Sequence, residues 1–266
     1  CWFSTNLNRR DMDIHRWHSI LMQRPDVINV SVSGYSQEVY SIGHYGGNAE
    51  LVWKNLRELC KASQRYLHRT RINVVYHLYK HSAVPKELEM ARHEALSAGA
   101  TFYADYAKVL PLERAVRRLQ NQFLPDEHNH PRYVAEDWLL LPVAEAARKM
   151  RWWKWLPCSF QHRELSLDSY RTVTLCCSLA APRFNLVPYL QTPLSTIEKL
   201  KFSHPYCRVC KQVGGHTYMM SAITLRRKLY LLGAHLYCKT LGRFFGRPKF
   251  PAIDADKSRR KTRNTR

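Results

Sequence analysis

Strand-like and helix-like segments alternate along residues 1–119, and this order narrows the fold more than any other feature of the chain. Trp2 to Leu7 reads as a strand, Asp11 to Gln23 as a helix, and Val27 to Val32 as a β-branched run closed by Ser33-Gly34. Ala49 to Tyr66 carries Leu51, Val52, Leu56, Leu59 and Cys60 close to helical spacing, after the punctuation of Gly46-Gly47. Arg71 to Tyr79 follows as a strand, Lys86 to Leu96 as a helix stopped by Gly99, and Thr101 to Ala107 as another strand. Such an order predicts an α/β fold with parallel strands, because each helical crossover returns the chain to the same end of the sheet. The carboxyl ends of parallel strands face the ligand crevice. Thr5-Asn6, Ser31-Val-Ser33-Gly34 and His77 to His81 therefore fall at the expected functional edge, although Ser, Asn and Thr also serve as ordinary loop caps.

Beyond Leu112 the pattern changes. Glu113 to Gln122 reads as a helix and leads into Pro125 to Pro131, a polar, turn-rich boundary. His128 and His130 lie in that boundary, one residue apart, a spacing that suits solvated side chains better than ligation. Ala135 to Met150 reads as a helix, and Arg151-Trp-Trp-Lys-Trp155 follows as an aromatic, basic cluster. Packing against the first domain is the ordinary expectation for that cluster; stacking on bases or lying at a membrane surface are the alternatives. The expected organisation is a first domain over 1–124, a helical linker over 125–157, a small Cys-rich module over 158–220, and a basic helix with a disordered tail over 221–266.

The module holds the chemistry-bearing pattern. Cys207-Arg-Val-Cys210 lies in an expected turn between Pro205 and Gly214, and Cys158 and the doublet Cys176-Cys177 precede it. A hairpin of Glu164 to Leu167 and Thr172 to Leu175 delivers Cys176 at its end. Paired thiolates reinforced by distant ones make a four-thiolate shell for a soft metal centre, and spacing alone leaves zinc and iron–sulfur level. Cys60 and Cys238 sit in apolar helix-like patterns and read as small hydrophobes.

Composition sets limits on the partner and compartment. A formal charge of +21 suggests a polyanion, yet the last ten residues carry several of those charges and the rest are scattered over helix patterns. A solvated basic surface is the expectation, with nucleic acid or an anionic membrane as the other occupants. Eight unevenly spaced Cys in a chain that is 45% hydrophobic do not match a small secreted disulfide scaffold, which points to a reducing, cytoplasmic setting. No run of 18 apolar residues occurs. The chain starts at Cys1, directly in a strand-like stretch, and reads as a piece whose beginning is missing.

Together these residues resemble a known family. Ile28-Asn-Val-Ser-Val-Ser-Gly-Tyr-Ser-Gln-Glu-Val-Tyr40, followed by His44-Tyr-Gly-Gly47 and a helix, looks like the middle of a radical S-adenosylmethionine enzyme barrel. Val74 to His81 and Gly99-Ala-Thr-Phe102 fit the same order, and the segment with Cys158, Cys176, Cys207 and Cys210 resembles the carboxy-terminal SPASM or twitch extension of such enzymes. The resemblance implies a partial (β/α) barrel and a small Cys-rich module. It also implies reductive cleavage of S-adenosylmethionine to a 5′-deoxyadenosyl radical that abstracts hydrogen from a substrate, with a flavodoxin or ferredoxin as reductant.

The same resemblance assigns Cys158, Cys176, Cys207 and Cys210 to an auxiliary [4Fe-4S] cluster, and Thr5, Asn6, Ser31 and Ser33 to S-adenosylmethionine. His77 and Tyr79 would face the same cavity. The family's Cys-x3-Cys-x2-Cys motif, which holds a second [4Fe-4S] cluster, is absent from this sequence and is expected upstream. Arg171 stands where the family usually has Gly in the hairpin. A zinc-stapled basic nucleic-acid-binding protein and a catalytically silent relative are the alternative functions.

Overall fold

The computed structural model describes residues 1–66, 68–122 and 136–219; the His128/His130 pair, Cys238, the expected basic helix after Ser221 and the tail lie outside them. The described residues all belong to one compact unit.

Four strands form a parallel sheet in the order of the chain: β1 (Trp2–Thr5), β2 (Val27–Val32), β3 (Arg71–Leu78) and β4 (Thr101–Tyr106). The fold is thus α/β. Alternation in β2 sends Ile28, Val30 and Val32 to one face, where they are fully buried, and leaves Asn29 and Ser31 on the other. The buried face packs against α1 (Ile14–Leu21), α3 (Ala49–Arg65) and α4 (Pro85–Ala98) through Trp17, Leu21, Val52, Leu56, Leu59, Ala91 and Ala95.

The opposite face carries a polar row. Ser4, Asn29, Asn73 and Thr101 stand in one register row across the sheet. The Asn73 amide donates to Asn29 Oδ1 at 3.0 Å, and the Thr101 hydroxyl donates to Asn73 Oδ1 at 2.7 Å. Cross-strand polar pairs of this kind satisfy one another where a mixed apolar and polar row would leave a buried amide unpaired.

Local chemistry explains the helix limits. The Asn48 side chain accepts the Leu51 N–H and starts α3, and Pro85 occupies the first turn of α4. Gly99 ends α4 in the left-handed region at φ 93°, and a Cβ there would meet the Gln64 side-chain amide. A short helix, α2 (Gln37–Gly43), capped by Ser36, lies within the segment that sequence patterning left without an element of its own.

The second half has its own core, and it begins before the expected linker. Leu112, Ala115 and Val116 of α5 (Leu112–Leu119) pack with Val143 and Ala146 of α6 (Val143–Met150) and with Cys176, Cys210 and Tyr218. α6 is shorter than expected: Pro142 sits at its N-cap, and Leu139 instead bridges to Tyr79. Next come α7 (Ser159–Arg163) and a three-stranded antiparallel sheet of β5 (Ser166–Leu167), β6 (Thr172–Thr174) and β7 (Asn185–Pro188). α8 (Leu194–Ser203), α9 (Pro205–Val213) and α10 (Gly215–Met219) complete the described chain. Among the described residues no helix is long and apolar enough to cross a membrane.

Candidate metal centre

Cys158, Cys176, Cys207 and Cys210 line a single cavity of about 30 Å³. They arrive from three places in the local fold. Cys158 caps α7, Cys176 follows β6, and Cys207 and Cys210 lie on α9, where sequence spacing had placed a turn. The helix forms because Pro205 suits the first helical position and the His204 ring accepts the Tyr206 N–H at 3.2 Å. Gly214, at φ 84°, then stops it, three residues before the Thr217 hydroxyl bonds its carbonyl at 2.8 Å. Spacing of three along the helix keeps both sulfurs on neighbouring turns of one face.

The loop bearing Cys176 is held from α5. The Leu112 N–H donates to the Ser178 carbonyl at 2.7 Å, while Glu113 Oε1 accepts the N–H groups of Ala180 and Ala181 at 3.1 and 3.0 Å. Cys176 is buried against the cavity. Cys177 is exposed, with its sulfur 3.4 Å from Glu164 Oε2.

Burial raises the thiol pKa of Cys158, Cys207 and Cys210, that of Cys210 to about 12. Fixed donors and cations oppose burial: the backbone N–H groups of Phe160 and Gln161 at Cys158, the His216 N–H at Cys210, and the Lys211 ammonium at all of these thiols. Lys211 is steered by its bond to Gln161 Oε1 at 2.7 Å. Lys201, only 3% exposed, adds a second cation beside Cys207 and donates to the carbonyls of Phe160 and Glu164. The wall is otherwise apolar, with Leu112, Phe160, Leu175, Leu179 and Tyr206. Cations around a dry thiol cavity favour deprotonated sulfur once a metal neutralises it.

His216 also lines the cavity and is buried. Burial lowers its pKa to about 4. Nothing in the spacing of His216 along the sequence shows that it will be buried beside the thiols.

At the carboxyl edge of the parallel sheet the expected residues separate. Thr5 pairs in register with buried Val30, on the helix-covered side, and its hydroxyl accepts the Leu7 N–H at 3.1 Å. Asn6 Oδ1 accepts the Asn8 N–H at 3.2 Å, so both side chains shape their own loop. Ser31 stands on the polar face beside Val75, and Ser33 is fully buried with its hydroxyl 2.6 Å from His44 Nδ1. His77 pairs in register with Asp105, whose carboxylate receives the Lys108 ammonium at 3.0 Å. Burial lowers the His77 pKa to about 4; Asp105 pulls it up, and His44 and Lys108 push it down. Tyr79 instead belongs to the second core, stacked on His81 at 5.1 Å.

Among the described residues no three His, Cys, Asp or Glu side chains converge closely enough to hold one metal ion. Compared with protein-family models, with curated proteins and with solved structures, the chain shows no significant match.

Proposed function

We propose that this chain comprises part of the barrel and the auxiliary-cluster module of a radical S-adenosylmethionine enzyme, with Cys158, Cys176, Cys207 and Cys210 as the cluster ligands. The observation that carries the reading is that these four thiols line one largely apolar cavity, with the Lys211 ammonium acting on three of them. The donor set fits: thiolates are the ligands iron–sulfur clusters take, and a cluster spreads its ligands over several metal corners. A single zinc ion instead needs all four sulfurs about 2.3 Å from one point.

Strand order supports the barrel part of the reading. Parallel strands that neighbour one another in chain order, without reversal, are the arrangement of a (β/α) barrel; doubly wound sheets reverse at a switch point. When bound, an auxiliary cluster supplies one-electron transfer. The protein's own residues have separate tasks. Lys201 and Lys211 balance thiolate charge, Phe160 and Tyr206 keep water away, and Glu113 fixes the loop that presents Cys176. On the sheet, Ser31 and the Asn29–Asn73–Thr101 row offer hydrogen bonds to the polar groups of S-adenosylmethionine, while Ser33 orients His44. Asp105 and Lys108 set the charge around His77, which burial keeps neutral as a hydrogen-bonding group at the substrate edge.

The test compares Cys176→Ser with Cys177→Ser after anaerobic reconstitution. Loss of the broad visible absorbance of an iron–sulfur cluster in the first and its retention in the second supports the assignment. Equal loss, or colourless protein throughout, contradicts it.

A further inference from the structure

Residues Arg151–Trp153 form a 3-10 turn, and burial repeats every three residues along Met150-Arg-Trp-Trp-Lys-Trp-Leu156, dividing the segment into three ridges. Met150 and Leu156 are buried, with Trp153 partly buried between them, so this ridge anchors the turn. The bond from the Leu156 N–H to the Trp153 carbonyl at 2.9 Å holds the register. Arg151 and Lys154 make a second ridge, and Trp152 and Trp155 a third; all four are exposed. Trp152 is 71% exposed and Trp155 52%, so packing onto the first domain, the ordinary expectation for this cluster, does not account for them.

Arg148 and Lys149, exposed at the end of α6, extend the basic ridge. Between Val143 and Leu156 the only acid is Glu145, already paired with Lys149 at 2.7 Å. Exposed indoles beside a run of cations form an amphipathic surface with a definite complement: apolar matter under an anionic layer.

We infer that this turn is a docking surface for an anionic lipid bilayer, with Trp152 and Trp155 entering the interface and Arg148, Arg151 and Lys154 meeting lipid phosphates and carboxylates. Indole rings concentrate at the headgroup level of bilayers, and basic residues near an anionic leaflet add to the attraction. Single-stranded nucleic acid is the competing polyanion, and the geometry disfavours it. Base stacking needs a free aromatic face in a groove that tracks the strand. Here the Arg151 guanidinium covers one face of Trp152 at 4.7 Å, and both rings stand on a turn.

The test uses the full chain with vesicles of phosphatidylcholine alone, or with about a third phosphatidylserine. Binding to the anionic vesicles, with tryptophan fluorescence quenched by brominated lipid, is expected. The Trp152→Ala, Trp155→Ala variant should bind about tenfold more weakly and lose the quenching. Arg151→Gln with Lys154→Gln should weaken binding about 25-fold, fivefold for each cation. Parent protein that ignores anionic vesicles overturns the inference. So do variants that bind like the parent, which would place the attraction on other basic segments. Loss of single-stranded RNA binding in the Trp variant with vesicle binding intact overturns it in favour of nucleic acid.

Discussion

His216 Nε2 lies 3.1 Å from the Leu156 carbonyl oxygen, while Nδ1 of the same buried ring has no hydrogen-bond partner. A carbonyl only accepts, so the proton resides on Nε2 and the neutral ring turns a bare lone pair away from Leu156. The folded pKa of about 4 lies below the ordinary value of 6.5, so the neutral ring's contribution to stability is in full above pH 6.5 and is lost as pH falls toward 4. About 3 kcal/mol should disappear across that window. His216→Gln keeps a donor for Leu156 without titrating. Urea midpoints measured at pH 6.5, 5 and 4 should fall less steeply for this variant than for the parent.

The raised thiol pKa values give metal loading a pH dependence of the same sign at higher pH. Cys158, Cys207 and Cys210 hold their protons at neutral pH in the metal-free fold, and each must lose one to bind. Affinity for cadmium, a thiolate-seeking probe, should therefore rise from pH 6 to pH 8. Lys211→Met should weaken binding about tenfold at either pH by removing the cation beside these sulfurs. Titration followed by the cadmium–thiolate charge-transfer band measures both effects.

Lys201→Met should destabilise the module by about 2 kcal/mol, because the carbonyls of Phe160 and Glu164 would lose their donor in a buried site. Denaturant unfolding followed by near-ultraviolet dichroism reads the change. An unchanged midpoint would mean that these carbonyls find water.

Glu87 ties the first turn of α4 to the loop after β2. Its Oε2 accepts the N–H groups of Tyr35 and Ser36 at 2.7 and 3.0 Å. Glu87→Ala leaves both donors without that partner and should cost about 2–3 kcal/mol. Hydrogen exchange should speed up at Tyr35 and Ser36 and stay unchanged in α9.

The sequence was most legible where one local signal governed each element. Val27–Val32 matches its expected bounds because Pro25 and Ser33-Gly34 punctuate a clean alternation. α3 and α4 were readable for similar reasons, through apolar spacing and the stop at Gly99. β7 was not, since Asn185-Leu-Val-Pro188 has neither alternation nor a free N–H at Pro188 and pairs only through tertiary context. Overreading the helix before Met150 came from following apolar spacing through Pro142.

Site legibility divides the same way. Thiols declare their chemistry by identity, so Cys158, the Cys176-Cys177 doublet, Cys207 and Cys210 stand out in the sequence, and it is the resemblance that selects Cys176. Lys201, Lys211 and Asp105 could not, because what they do depends on which buried groups the fold brings beside them. Thr5 and Asn6 lie at the strand end that sequence reading expects, and their oxygens accept the Leu7 and Asn8 N–H groups, a loop contact that residue type alone does not reveal.

The most direct test of the account is the content of iron, acid-labile sulfide and zinc per chain after anaerobic reconstitution, in the parent and in Cys207→Ala with Cys210→Ala. The account predicts about four irons and four sulfides on the parent and their loss in the variant. Stoichiometric zinc without sulfide, or iron retained by the variant, would contradict it.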